Sequence, residues 1–321
     1  MRINIIHTIP KEMNGVYRYS SGLINGLRNN EMIDVKEIIP LERSFSIYRK
    51  NIGKWMGRKL LYFQALRGNI VHSTNPFLLT KNTNIVTIHD ISSLINKYKE
   101  DAFVNYFKKI IDKCSKIDTI ISHTKYVKKT LLNYSDKFQD VNIKVIPIGV
   151  EMKDPIGKNP YPNNNKLHLF SLGNFGSRKR FDRIYSYVAN MEDVELYHIG
   201  SQTFPGKYSE CISSNNVHYL GYRDNNTISL YMKYADRFIL DSIDEGYGLP
   251  PLEAMVFDVQ PIVSDIPVFH ETMKDKAYFF NDEESFTKAI LSPKHNGLSE
   301  FVSQYNDWIQ KYISVYEEMI Q

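Results

Sequence analysis

The sequence has few cysteines and no long apolar run, and both scarcities narrow what the chain can do. Only Cys114 and Cys211 occur in 321 residues, far apart and outside any C-x-x-C or Cys/His grouping. That excludes a disulfide framework and a thiolate zinc site, and it fits a reducing, cytoplasmic setting. No stretch approaches the roughly 18 to 20 apolar residues that span a bilayer. Met1 to His7 opens directly into a short β-branched strand, without the apolar core of a secretory signal. Any encounter with a membrane is therefore expected at the surface, as a peripheral protein at the inner face of the cell membrane. No Gly, Pro, Ser or Gln tract is present, so the whole chain is expected to fold. Finally, no G-x-G-x-x-G follows the first strand, which takes away the main support for a nicotinamide-dependent oxidoreductase.

What is there begins with length and charge. A chain of 321 residues is long enough for two domains, each able to bury a core. Residues 1–150 carry 24 basic and 12 acidic side chains, whereas residues 151–321 carry 16 and 24. Charges of about +12 and −8 on the two halves point to two domains with different partners. Short β-branched runs alternate with helical stretches in both halves: Ile3–His7, Val35–Ile39, Ile70–Ser73, Ile85–His89, Thr119–Ser122 and Lys144–Ile148, then Leu167–Leu172, Glu195–Ile199, Val217–Leu220, Asp236–Leu240 and Gln260–Ser264. This alternation predicts an α/β fold with two doubly wound parallel sheets. Pro155, Pro160 and Pro162 among Gly and Asn mark a linker. The expected domains are 1–150 and 151–298, followed by an aromatic-striped terminal helix over 299–321 that packs back on the first domain.

The segment with most chemical content is Asp244-Glu245-Gly246-Tyr247-Gly248-Leu249-Pro250-Pro251-Leu252-Glu253-Ala254-Met255. Its glycines let a ligand approach the backbone, its prolines suit the first turn of a helix, and a helix N-terminus presents N–H groups that suit phosphate. Glu253, one or two turns into that helix, can accept two hydroxyls of a sugar diol side by side. The E-x7-E spacing within EGYGLPPLEAM closely resembles the signature of retaining glycosyltransferases of family 4. The resemblance implies a GT-B architecture, two Rossmann-like domains facing a central cleft. It also assigns Glu245 to the transferred sugar and Glu253 to the nucleotide ribose, with Gly246, Tyr247, Gly248 and Leu249 lining the diphosphate.

Further matches run in the same order along most of the chain. Gly173-Asn174-Phe175-Gly176-Ser177-Arg178-Lys179-Arg180 looks like the family's basic donor-phosphate motif, which puts Lys179 on the diphosphate with Arg178 beside it. Many relatives carry Arg where this chain has Asn174. Asn14-Gly15-Val16-Tyr17-Arg18 resembles the family's glycine loop, so Gly15 is expected to face the diphosphate. His89, in Val86-Thr87-Ile88-His89-Asp90, corresponds to a histidine that touches the donor sugar, with Asp90 as its partner. Asp265 and Glu271 are expected to shape the site without reacting. The resemblance implies front-face transfer in which the leaving diphosphate takes the acceptor's proton, with Glu245, His89 and Lys179 as the catalytic set. No D-x-D triplet occurs, and no metal or other cofactor is expected, because the basic groups can offset the diphosphate charge.

For the acceptor, Arg43 to Arg67 holds seven basic residues, no acid and many aromatics, the composition of an interfacial segment on anionic lipid. The same pattern also suits a helix with one buried and one solvated basic face. No nucleic-acid signature accompanies it. The function expected is transfer of a hexosyl unit from a UDP- or GDP-sugar to a saccharide acceptor, lipid-linked, in bacterial surface polysaccharide synthesis such as O-antigen or capsule. Two alternatives stay open at this point: a GT-B sugar-nucleotide epimerase or hydrolase, and a non-catalytic nucleotide-sugar-binding protein.

Overall fold

A computed structural model describes residues 1–7, 15–39, 70–95, 101–201 and 214–320. The basic segment Arg43 to Arg67 lies outside them. The chain divides into two compact units, residues 1–148 with 307–321, and residues 149–306.

The first unit is built on β1 (Arg2–Ile6), β2 (Asp34–Ile38), β3 (Ile70–Ser73), β4 (Ile85–Thr87), β5 (Thr119–Ser122) and β6 (Asn142–Val145), in the spatial order β2-β1-β3-β4-β5-β6. The second uses β7 (Leu167–Leu172), β8 (Val194–Ile199), β9 (Val217–Gly221), β10 (Arg237–Leu240), β11 (Gln260–Ser264) and β12 (Tyr278–Phe280), in the order β12-β11-β10-β7-β8-β9. Every pairing is parallel. Two doubly wound parallel sheets are thus present, as the alternation predicts. β3, β4, β5 and β11 are buried along their whole length, which is why they read as continuous β-branched runs and not as alternating ones: helices cover both faces of such sheets.

Two differences have plain physical causes. β6 covers Asn142–Val145 instead of Lys144–Ile148, because Ile146 N donates to Ser122 O and the next residue, Pro147, has no N–H to continue a ladder. β12 did not stand out in the sequence; it is three residues long and pairs only at an edge.

The tail is two helices, not one. Leu298–Ser303 belongs to the second unit, where Ser299 N and Oγ donate to the Asp258 carboxylate. Trp308–Glu318 belongs to the first unit. Its Tyr312 and Tyr316 are fully buried, a burial that stabilises by about 2 kcal/mol or more per ring. Their hydroxyls need partners at that depth and find them: Tyr312 meets the Tyr19 hydroxyl at 2.8 Å, and Tyr316 meets His72 Nδ1 at 2.7 Å. Close approach of this helix to Gly15–Arg28 requires a small residue there, since a Cβ at Gly26 would stand 2.4 Å from Ile309 Cδ1.

Candidate active site

In open parallel sheets, ligands bind beyond the carboxyl ends of the strands where the winding reverses. In the second unit that point lies between β7 and β10. The loop after β7 carries Arg178 and Lys179, and the loop after β10 carries Glu245, so the topology brings two separate motifs to one place.

Local conformation explains the loops. Gly173 has φ +151 and Gly248 has φ +85, values that favour glycine. A Cβ at Gly248 would also stand 2.6 Å from Phe269 Cε1. Gly248 caps the helix Leu249–Val256, whose first turn takes Pro250 and Pro251. Ile243 N donates to Arg178 O at 2.9 Å, which ties the loops together.

Side chains then converge on Glu245, which is 8% exposed. Lys179 Nζ and Ser242 Oγ both donate to its Oε1, the latter at 2.7 Å, and Arg178 Nη1 lies 3.5 Å from its Oε2. Arg178 Nη1 also reaches Asp244 O at 3.3 Å. Burial alone would push the Glu245 carboxyl up. The Lys179 and Arg178 charges, with the Lys179 and Ser242 hydrogen bonds, reverse this and hold it below the ordinary carboxylate range. Glu253 is buried on the following helix, and Tyr247 is buried in the turn.

A supporting pair escaped the sequence reading. Asp241, fully buried at the end of β10, is held by Arg183 through Nε–Oδ2 at 2.5 Å and Nη2–Oδ1 at 2.8 Å, and also by Arg180. This fork anchors the basic loop to the strand that delivers Glu245. Arg180 itself adopts φ +39 at the start of the helix Phe181–Ala189, a left-handed position rare for a non-glycine residue. The signal available was the i, i+3 spacing of Arg180 and Arg183 on a helix entry, which puts both on one face. Asp265 lies after β11, bonded to His270 at 2.5 Å and to Asn281, just after β12, at 3.1 Å.

The first unit holds the remaining candidates. Gly15 opens the helix Gly15–Arg28, and residues 8–14 before it are outside the described set. His89 follows β4, partly exposed, and its ring partners are ones the sequence did not indicate: Nε2 donates to Thr74 O at 2.9 Å, and Nδ1 lies 3.2 Å from His123 Nε2. Asp90 acts on it as a nearby negative charge while its carboxylate accepts from Ser92 N. Tyr19 packs edge-on against both imidazoles, and its hydroxyl bonds to Thr87 Oγ1 and Tyr312 OH, each at 2.8 Å. Among the described residues no group of three or more His, Cys, Asp or Glu side chains is arranged to hold a metal ion, and no helix is long and apolar enough to cross a membrane.

Comparison with known proteins adds to this geometry. Residues 153–312 match the family described as glycosyl transferases group 1. The chain is 26% identical over 254 residues to the O-antigen chain mannosyltransferase RfbU of Salmonella typhimurium, covering 75% of this chain and 68% of that one. It is 23% identical over 366 residues to an uncharacterized 41.2 kDa protein in the cps region of Klebsiella pneumoniae, covering 98% and 99%. Among solved structures, sucrose-phosphate synthase from Thermosynechococcus elongatus superposes with a TM-score of 0.80 at 14% identity over 99% of each chain. WaaG, a glycosyltransferase involved in lipopolysaccharide biosynthesis, superposes with a TM-score of 0.71 at 12% identity over 98% of this chain and 99% of that one. At those identities the superpositions speak for the fold.

Proposed function

The chain belongs to the glycosyl transferases group 1 through residues 153–312 and has the GT-B fold, and from that premise we propose that it is a retaining hexosyltransferase. It takes its sugar from a UDP- or GDP-sugar, needs no metal, and passes the sugar to a lipid-linked saccharide in bacterial surface polysaccharide synthesis.

The observation that carries this reading is the meeting of Lys179, Arg178 and Glu245 where the second sheet reverses its winding. Two cations beside glycine-bearing backbone and a helix N-terminus suit a diphosphate. A bound diphosphate would compete with Glu245 for Lys179 and Arg178, and the carboxylate so released would face the sugar. The amides of Gly246 to Leu249 would add to the phosphate cradle, and Glu253 would hold the ribose diol. The family resemblance assigns His89 to the sugar and Gly15 to the diphosphate. Positive charge that fits the leaving diphosphate better than the ground state lowers the barrier, and this electrostatic effect supplies much of the acceleration in such chemistry. The leaving phosphate oxygen takes the acceptor's proton on the face from which it departs, so the anomeric configuration is kept.

The O-antigen mannosyltransferase and the cps-region protein support a surface polysaccharide as the product. The basic, aromatic composition of Arg43 to Arg67 supports an anionic membrane surface as the place where the acceptor is met. The test is incubation with UDP- and GDP-sugars, chelator and a lipid-linked acceptor extract, with NMR of the new linkage. Transfer with retained configuration supports the proposal. An inverted product, or free sugar without transfer, opposes it.

A further inference from the structure

Arg180 holds a conformation that its residue type disfavours. Its φ of +39 and ψ of +40 lie in the left-handed region, where a Cβ crowds the carbonyl oxygen that follows it and where glycine is not penalised. Its Nε is also buried with no partner among the described residues. Neither feature favours arginine here, so another contact of the same side chain has to offset both.

Asp241 supplies that contact. It is fully buried, and Arg183 fixes both its oxygens, with Nε on Oδ2 at 2.5 Å and Nη2 on Oδ1 at 2.8 Å, while Arg183 Nη1 donates to Asn281 O at 2.9 Å. Arg180 Nη2 donates to the same Oδ1 and lies 3.5 Å from Ser242 O. A charge-assisted bond to a carboxylate withdrawn from water is strong and costly to break from one side. The Arg180 charge is thereby engaged with Asp241.

Residue 180 is also a joint between two fixed pieces. On one side the helix Phe181–Ala189 is held by its buried Phe181, Ile184, Tyr185 and Val188. On the other, Arg178 O accepts from Ile243 N at 2.9 Å. Lys179 stands between them, and its side chain reaches Glu245 Oε1. With the helix held, a change of residue 180 to right-handed backbone turns Lys179 relative to Glu245 and leaves the buried face of the helix in place.

We propose that Arg180 is a positioning residue: its ion pair with Asp241 holds its own backbone left-handed and so aims Lys179 at Glu245 and at the donor diphosphate. The diphosphate part rests on the functional reading above, whereas the aim at Glu245 does not. What matters at residue 180 is then conformation and not charge. Glycine, which takes the left-handed region without an anchored side chain, should replace arginine, and alanine should not. A phosphate-binding Arg180 would make both replacements fail alike.

The test compares Arg180→Gly with Arg180→Ala in the full chain. Arg183 still pairs Asp241 in both, so both should fold, and Arg180→Met stands in for the alanine variant should it not. The first readout needs no donor: carbon NMR titration of the Glu245 carboxyl, which Lys179 and Arg178 hold below the ordinary range. The glycine variant should keep that depression, and the alanine variant should titrate higher. The second is calorimetric binding of UDP and GDP, in which alanine should weaken the better ligand about tenfold and glycine should stay within about twofold of the wild type. In transfer assays the alanine variant should raise KM for the donor by a similar factor and keep kcat at saturation, because donor binding draws the loop back. Glycine and alanine alike in the Glu245 titration, both shifted or both unshifted, overturns the proposal. Nucleotide affinity lost equally in the two variants overturns it as well, by making the Arg180 charge a ligand. The predicted Glu245 titrations in a chain that binds neither UDP nor GDP would uphold the aim of Lys179 while removing the functional reading.

Discussion

Lys179 and Glu245, sixty-six residues apart in the chain, are joined by an ion pair in which Ser242 and Arg178 also take part. Both side chains are largely withdrawn from solvent, at 16% and 10% exposure. An ion pair at that depth is costly to break on one side, because the remaining charge keeps its desolvation penalty without its partner.

Lys179→Ala should therefore lower stability by roughly 3 kcal/mol, read from urea unfolding. Lys179→Arg should cost much less. A loss in the Ala variant below about 0.5 kcal/mol, the level of an exposed pair, would mean that the ion pair contributes little in solution.

The same network predicts a pH dependence. The Glu245 carboxyl titrates below its ordinary value in the folded chain because of Lys179 and Arg178. A depressed folded value means that the stabilisation is fully present above the unfolded value and is lost as pH falls through the folded one. Unfolding free energy should thus decline as pH falls below about 5, and the part due to this residue should vanish in Glu245→Gln. An identical acid slope in wild type and variant would place the titration elsewhere.

Gly248→Ala tests the turn before the helix Leu249–Val256. Its φ of +85 and the 2.6 Å approach to Phe269 combine strain with a clash against a buried ring. The substitution should cost about 2 kcal/mol or more, seen as a lower Tm. Gly176→Ala is the contrast, since an added Cβ there meets nothing within 4 Å, and its Tm should stay near that of the wild type.

Gly26 predicts non-additivity. Gly26→Ala gains about 1 kcal/mol of helix propensity, yet its Cβ would stand 2.4 Å from the end of Ile309. The single variant should be destabilised or neutral. Made in an Ile309→Ala background, where the obstruction is gone, the same change should stabilise, and simple additivity in the double-mutant cycle would refute the close packing of these helices.

The strands were legible because parallel strands buried on both faces appear as short β-branched blocks, and β3, β5, β7 and β11 begin and end where those blocks do. β12 and the split of the tail were not, since a three-residue edge strand has no periodicity, and helical spacing runs on across Tyr305 into Trp308 although the chain turns there. Lys179 and Glu245 each lie in a motif, so each drew attention separately. Their contact, the Asp241 fork with Arg180 and Arg183, and the bonds of His89 to Thr74 and His123 are products of packing between distant segments. No local spacing encodes them. Residues 40–69, which include the basic segment, are outside the described residues.

If the second unit binds a nucleotide diphosphate sugar without metal, thermal unfolding of the full chain against UDP-, GDP-, dTDP- and ADP-sugars in chelator, repeated with Glu253→Ala, will register it. A ligand at a hundredfold excess over Kd stabilises by about 2.7 kcal/mol, so one nucleotide class should raise Tm by roughly 5 °C or more in the wild type and by far less in the variant. No rise with any donor, or an equal rise in Glu253→Ala, would mean that this unit holds no such donor site.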